Sequence, residues 1–456
     1  MKKLFITSLF ILLHVTLLAQ INILRYRDDF EGIKNDSVRS KGFDRLKHIP
    51  LSSKTDISFG GELREQFQNY QNKNFGDGQD LTGSSKTSQF WHRLMVHTNL
   101  VHAKDLRLFA QVGSTFRFFN SRPLTPQIDE NRLNLHQLFL DWHIRSKWML
   151  RLGRQELKYG SHRIITFREG PNNRLSFDGL ILMHHAASRK IGAFALSPVT
   201  AMPGVFDDRS LEEFVAGIYL KDNNISEALT LEYYFINLLS DLRIYNSIKG
   251  RENRQSYGVR IVAGTPRFNS EAEVTYQSGK FSDLDISAYS ISLALNYKPP
   301  RNLSFIMGFS LNYISGDKSP GDGKLNTYNM LYSKPQFGLT APIGSSNIIN
   351  VNPHIDFTPI KRLNTSAGVY WMWRHSVKDG IYSPLASTVL ARQSSTHLNA
   401  ENRQIGTQLT LETNYVVNTH LSFSLDAGYF VAGRYIKESG SGKNIMYLSI
   451  KGSFKF

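Results

Sequence analysis

The sequence predicts an all-β protein: a transmembrane up-and-down antiparallel β-barrel of about eighteen strands, with short periplasmic turns and long extracellular loops. Three observations predict it. Eighteen stretches alternate apolar and polar residues with period two, their connections are alternately short and long, and the last stretch ends on the terminal residue, Phe456. In that stretch Met446, Leu448, Ile450, Phe454 and Phe456 share one parity, while Tyr447, Ser449, Lys451, Ser453 and Lys455 share the other. One face suits lipid and the other water.

The leader comes first. Lys2 and Lys3 precede an apolar run from Leu4 to Leu18, and a small residue, Ala19, follows. Residues 1–19 are therefore expected to be a cleaved signal peptide. No later stretch approaches the roughly 20 consecutive apolar residues of a spanning helix, so any membrane crossing must be by strands closed into a barrel. Only 41% of the 456 residues are hydrophobic, yet there are 20 Tyr and 29 Phe, as alternating strands with aromatic girdles require. The chain contains no Cys, which fits a secreted protein that avoids oxidative mispairing.

Residues 20–55 are polar, of mixed charge and without alternation, and are read as a periplasmic N-terminal lead-in to the barrel of residues 56–456. The expected strands are 56–69, 90–102, 105–118, 132–143, 147–157, 174–186, 189–197, 213–220, 226–239, 254–264, 268–279, 285–297, 302–314, 347–357, 362–374, 403–416, 419–432 and 444–456. Most reach the roughly 9–11 residues a tilted strand needs to cross. Pro353 makes the fourteenth the weakest. With Phe456 at the periplasmic rim, short turns fall near 103–104, 145–146, 187–188, 222–224, 266–267, 299–301, 359–361 and 417–419. The long polar segments 71–88, 119–131, 158–173, 241–253, 315–346 and 375–402 then face outward.

The formal charge is +16, and removal of Lys2 and Lys3 leaves +14 (16 − 2). Such a chain expects anionic partners. No nucleic-acid-binding motif is present, so lipopolysaccharide phosphates and an anionic solute are the expected ones. Parity assigns charges to the lumen. In the third strand Leu106, Leu108, Ala110, Val112 and Phe116 point out, which places Arg107, Gln111, Thr115 and Arg117 inside. The same argument directs Arg64, Arg93, Arg174, Arg260 and Arg374 inward, with Glu62, Asp141, Asp178, Glu232, Glu412 and Asp426 as inward acids. The arginines crowd the first six strands. They either pair across the lumen or form a ladder for a multi-anionic solute, which Arg suits by its permanently charged planar fork.

One segment is more specific. RLGRQELKYGSHRI runs from Arg151, and PNNRLSFDGL spans 171–180. With FGGELRE at 59–65, WMWR at 371–374, DGIY at 379–382, the 403–408 segment and the terminal strand, the chain resembles the alginate export family of outer-membrane porins over nearly its whole mature length. The resemblance implies a monomeric 18-stranded barrel with a basic, constricted lumen that passes an anionic uronate polysaccharide. It also implies basic pore-lining roles for Arg151, Arg154, Arg163, Arg174 and Arg374, with Asp178 orienting them. Arg151 and Arg154 have opposite parity, so an unbroken strand cannot point both inward; a bulge re-aims one or one lies beyond the lipid band.

Weaker signals are read structurally. His184 and His185 are strand neighbours facing opposite sides and cannot share an ion. Asp317 and Asp322 lie in the Gly-rich 315–324 segment, where a calcium loop is conceivable, and Asp77 is similar; a surface turn is the expectation for each. Trp371 and Trp373 share a face with Val369 and read as a lipid-facing belt. No catalytic arrangement or cofactor is expected. The function expected is a passive outer-membrane channel for an anionic saccharide or organic acid. The alternatives are a general porin with mild anion preference and an outer-membrane hydrolase. Partners expected besides the solute are outer-membrane lipid and lipopolysaccharide, and the barrel-assembly machinery through the strand ending at Phe456.

Overall fold

The computed structural model describes residues 22–28, 42–77, 86–118, 129–145, 147–226, 228–246, 248–300, 304–333, 337–340, 343–382 and 400–456; the leader expected at 1–19 lies outside them. Eighteen antiparallel strands close one ring: β2 (Thr55–Gln71), β3 (Lys86–His102), β4 (Leu106–Phe118), β5 (Asn131–Ile144), β6 (Trp148–Gln155), β7 (Phe177–His185), β8 (Arg189–Pro198), β9 (Glu213–Ser226), β10 (Leu229–Tyr245), β11 (Ile248–Gly264), β12 (Phe268–Phe281), β13 (Leu284–Tyr297), β14 (Phe305–Ile314), β16 (Ile348–Ile360), β17 (Leu363–Arg374), β18 (Gln404–Val416), β19 (Leu421–Ala432) and β20 (Ile445–Lys455). Two short strands, β1 (Ile49–Ser52) and β15 (Lys324–Leu325), pair with β2 and β13. The ring closes where β20 pairs with both β19 and β2. There Gly61 and Phe456 exchange two backbone hydrogen bonds of 2.9 and 3.0 Å. Closure leaves no open edge, which lipid requires.

The two faces follow the sequence periodicity. Leu138, Leu140, Leu152 and Leu180 point outward and are 40–56% exposed, whereas the alternate positions are buried against material inside the ring. An apolar belt of this extent belongs in hydrocarbon. No described helix is long and apolar enough to cross a membrane.

All eighteen expected strands form, with three local differences. The segment 241–253, expected as a loop, continues β10 and β11 into a hairpin that closes at Tyr245 and Ile248 after a register shift near Ser240. Its inward polar residues bond to one another, as Tyr245 does with Glu252 at 3.0 Å, so polarity there marks a wet interior rather than a loop. The turn expected at 222–224 falls between Ser226 and Leu229 instead. Pro353 is accommodated because β16 keeps its register with β17 across a gap in pairing between Val351 and His354.

Two connections and the N-terminal segment turn inward. Segment 156–176, between β6 and β7, meets segment 315–347, between β14 and β16. The Thr166 amide donates to the Tyr332 carbonyl (3.0 Å), the Tyr332 amide to the Ile164 carbonyl (2.9 Å), and the Arg168 guanidinium to the Leu331 and Ser333 carbonyls (3.2 Å each). Ile164, Ile165 and Tyr332 are buried together with Phe177 and Phe194. Tyr26 is buried among Phe109, Phe139 and Phe167. Residues 22–28 therefore sit inside the ring.

Candidate lumen site

The motif residues meet in register. Gly153 pairs with Gly179, Arg154 with Asp178 and Gln155 with Phe177 across β6 and β7, while Arg151 faces Asp141 across β5 and β6. The two glycines are required. Each has positive φ (126° and 147°), and a Cβ would lie 2.2 Å from the Leu138 or Ala195 carbonyl oxygen. The RLGRQ and FDG segments are thus adjoining parts of one wall.

That wall carries an arginine–acid network. Arg93 donates to Glu62 and Glu169 at 2.5 Å each, and Arg174 donates to Glu169 and, at 3.3 Å, to Glu62. Arg64 donates to the Glu169 and Pro171 carbonyls and to the Asn172 side chain, at 3.1 Å each. Arg151 forms a two-bond fork with Asp141 (2.6 and 2.8 Å) and lies 3.9 Å over the Phe139 ring. Arg107 donates to Asn99 at 2.7 Å and to the Tyr26 carbonyl. Arg260 bridges Glu232 and Glu271. Arg117 sits on the same inward parity opposite Trp91. Burial opposes charge on Glu169, yet the Arg174, Arg93 and Arg64 guanidiniums hold its carboxyl down at about 2.

Three expected pore-lining positions are corrected. Arg154 and Asp178 lie on the outward parity with Leu138, Leu152 and Leu180, joined by a fork of 2.7 and 2.8 Å. Because the strand is unbroken, parity sends Arg151 inward and Arg154 outward; the two register shifts between β4 and β5, one of them at His136, re-aim neither. Arg374 keeps inward parity but is fully buried, donating to the Val377, Asp379, Ala400 and Asn402 carbonyls and stacked 3.8 Å over Tyr435. Its donors are spent on backbone carbonyls of the connection that follows β17. Arg64, Arg93, Arg151 and Arg174 are likewise no more than 5% exposed. The arginine-rich wall is packed under segments 22–28 and 156–176.

Open space lies toward the opposite wall. A cavity of about 240 Å³ is lined by Ser161, Arg163, Glu273, Asn312, Asn350 and Tyr370 among others. Arg163, brought there by the inward segment, donates to Asn312 Oδ1 at 2.6 Å and lies 3.9 Å from Glu273. A wider cavity of about 1140 Å³ opens at the short-turn end, where Asp356, Glu412 and Asp426 stand against Arg267, Lys298 and Lys451.

The sequence reading missed Glu169, Glu156, Arg25, Arg168, Glu273 and Asn312. Only the apolar run Ile164, Ile165 and Phe167, within an otherwise polar connection, signalled that this segment folds inward. Asp322 is exposed and accepts from the Lys324 amide as a surface turn does, whereas Asp317, expected in a surface turn, is 5% exposed, accepts from the Ser319 amide and donates its own amide to Asp379; no group of acids or histidines able to hold a metal occurs among the described residues.

The comparisons agree with this architecture. OccK5 (OpdH) of Pseudomonas aeruginosa is similar in structure at 12% identity, over 88% of this chain and 98% of that one, with a TM-score of 0.58. OccAB4 of Acinetobacter baumannii is similar at 13% identity over 89% and 100%, with a TM-score of 0.59. OccD3 (OpdP) of Pseudomonas aeruginosa is similar at 9% identity over 90% and 92%, with a TM-score of 0.60. At these identities the likeness speaks for the fold. No curated protein matches by sequence. A model described as alginate export matches residues 55–445. Together the barrel, its lipid belt and this match make the protein an outer-membrane channel, and the chain belongs to the alginate export family.

Proposed function

We propose that this channel passes an anionic saccharide of uronate type, or a related organic anion, by diffusion down its gradient. The observation that carries this reading is Arg163. Among the described residues it is the one arginine or lysine lining the narrower cavity. Its side chain is 27% exposed, and hydroxyl and amide groups surround it together with the Glu273 carboxylate, which is 3.9 Å away. A guanidinium grips a carboxylate through two parallel hydrogen bonds, and the Ser and Asn side chains supply partners for sugar hydroxyls. Exposed to water, such a contact is worth about 1 kcal/mol or less. That suits permeation, since a solute must also leave.

A second reading, a general porin with mild anion preference, is favoured by the wider cavity, where Asp356, Glu412 and Asp426 offset the three cations. Single-channel current in planar bilayers separates the two. Block by uronate oligomers and not by neutral oligomers of equal length supports the specific channel. Equal effects of both support the general porin.

A further inference from the structure

We infer that the connection between β8 and β9, residues 199–212, is an interfacial anchor whose apolar tip enters the lipid leaflet at the long-loop end of the barrel. Val205, Phe206 and Leu211 are 57, 60 and 83% exposed. Among the described residues at that end, Leu242 of the β10–β11 hairpin, 59% exposed, is comparable, but it stands alone, whereas Val205, Phe206 and Leu211 share one connection.

The connection is held in place rather than trailing. Thr200 and Arg209 exchange backbone hydrogen bonds of 2.7 and 3.1 Å, and the Phe206 amide donates to the Leu133 carbonyl of β5 at 2.8 Å. Asp208 accepts from the Met202 amide (2.9 Å) and from the Asn131 side chain (2.7 Å). Phe206 and Leu211 both have positive φ, 51° and 74°, a conformation bulky side chains avoid. In water neither residue gains anything from that strain, because its side chain is unburied.

The belt explains the placement. Val205 bridges to Leu133, which continues through the bulge at His136 to the lipid-facing Leu138 and Leu140. Leu211 lies three residues before Phe214, which is 41% exposed on the lipid-facing parity of β9. The patch is therefore continuous with the barrel's membrane surface at its upper edge, beside the outward Arg154–Asp178 pair. The occupant this implies is the apolar boundary of the leaflet, as for other interfacial side chains.

The chain contains no Cys, so single Phe206→Cys and Leu211→Cys variants can each carry one nitroxide label. The full-length protein is reconstituted in phosphatidylethanolamine and phosphatidylglycerol vesicles, and label collisions with oxygen and with a water-soluble nickel chelate are compared. Leu180→Cys on the belt and Asp241→Cys at the exposed hairpin serve as lipid and water references. Both test labels should favour oxygen at least as strongly as midway between the references. A nickel-accessible signature like that of Asp241→Cys at either position overturns the anchor.

Discussion

Arg174 reaches Glu62 of β2 at 3.3 Å while also holding Glu169, so one guanidinium fastens the inward segment to the strand that closes the ring. Glu62 is 2% exposed and also accepts from Arg93 at 2.5 Å. Removing it leaves Arg93 with Glu169 alone and Arg174 with Glu169 and Glu156, one buried carboxylate short of the cations. Glu62→Ala should cost about 3–5 kcal/mol and increase open-channel current noise as segment 156–176 loosens. Urea unfolding and single-channel recording check this. An unchanged midpoint and quiet current would show that the network does not hold the segment.

The pH response follows from Glu169. Its carboxyl is held at about 2, below an ordinary value of 4.5. A depressed carboxyl contributes stability that is full above the ordinary value and is lost as pH falls through the folded one. The stability difference between the parent and Glu169→Gln should thus stay constant above about pH 5 and shrink toward pH 2. A difference that disappears between pH 8 and 6 would contradict the assignment.

Arg154 and Asp178 face outward, so their charges should not tune permeation. Arg154→Ala and Asp178→Ala should leave the reversal potential in a salt gradient where it is, while costing about 1 kcal/mol of stability as a partly exposed pair. A shift in selectivity for either would place the pair back in the lumen.

Arg25 caps the seam. It donates to the Phe456 carbonyl at 2.8 Å and the Gly61 carbonyl at 3.2 Å, and pairs with Asp28 at 3.0 Å. Each charged hydrogen bond is worth about 1.5–3 kcal/mol. Arg25→Met should lower the temperature at which the barrel unfolds in detergent gels by several degrees and leave ion selectivity unchanged. No change in that temperature would mean that the N-terminal segment merely rests on the seam.

The barrel was legible because lipid imposes a period of two on every strand: Leu106, Leu108 and Val112, like Met446, Leu448 and Ile450, announced the outward face without knowledge of their neighbours, and all six are exposed on it. What the arginines do was not legible, because pairing depends on register. Arg151 meets Asp141 only once β5 and β6 are aligned, and Arg174 meets Glu62 only across 112 positions of chain. Polar connections carry no periodic signal of whether they face out or in, so the inward course of 156–176 and the burial of Tyr26 rested on a few apolar residues. For the same reason the arginines of β2–β7, read as either paired or a ladder, form a packed wall, and the arginine of the narrower cavity, Arg163, came from a connection.

The central claim is that Arg163 sets the preference of the open lumen. The most direct measurement is the reversal potential of single channels in a potassium chloride gradient, for the parent, Arg163→Glu and, as an outward control, Arg154→Glu. The account predicts an anion preference that Arg163→Glu abolishes or inverts and that Arg154→Glu leaves intact. A parent channel that prefers cations, or an anion preference untouched by Arg163→Glu, would contradict it.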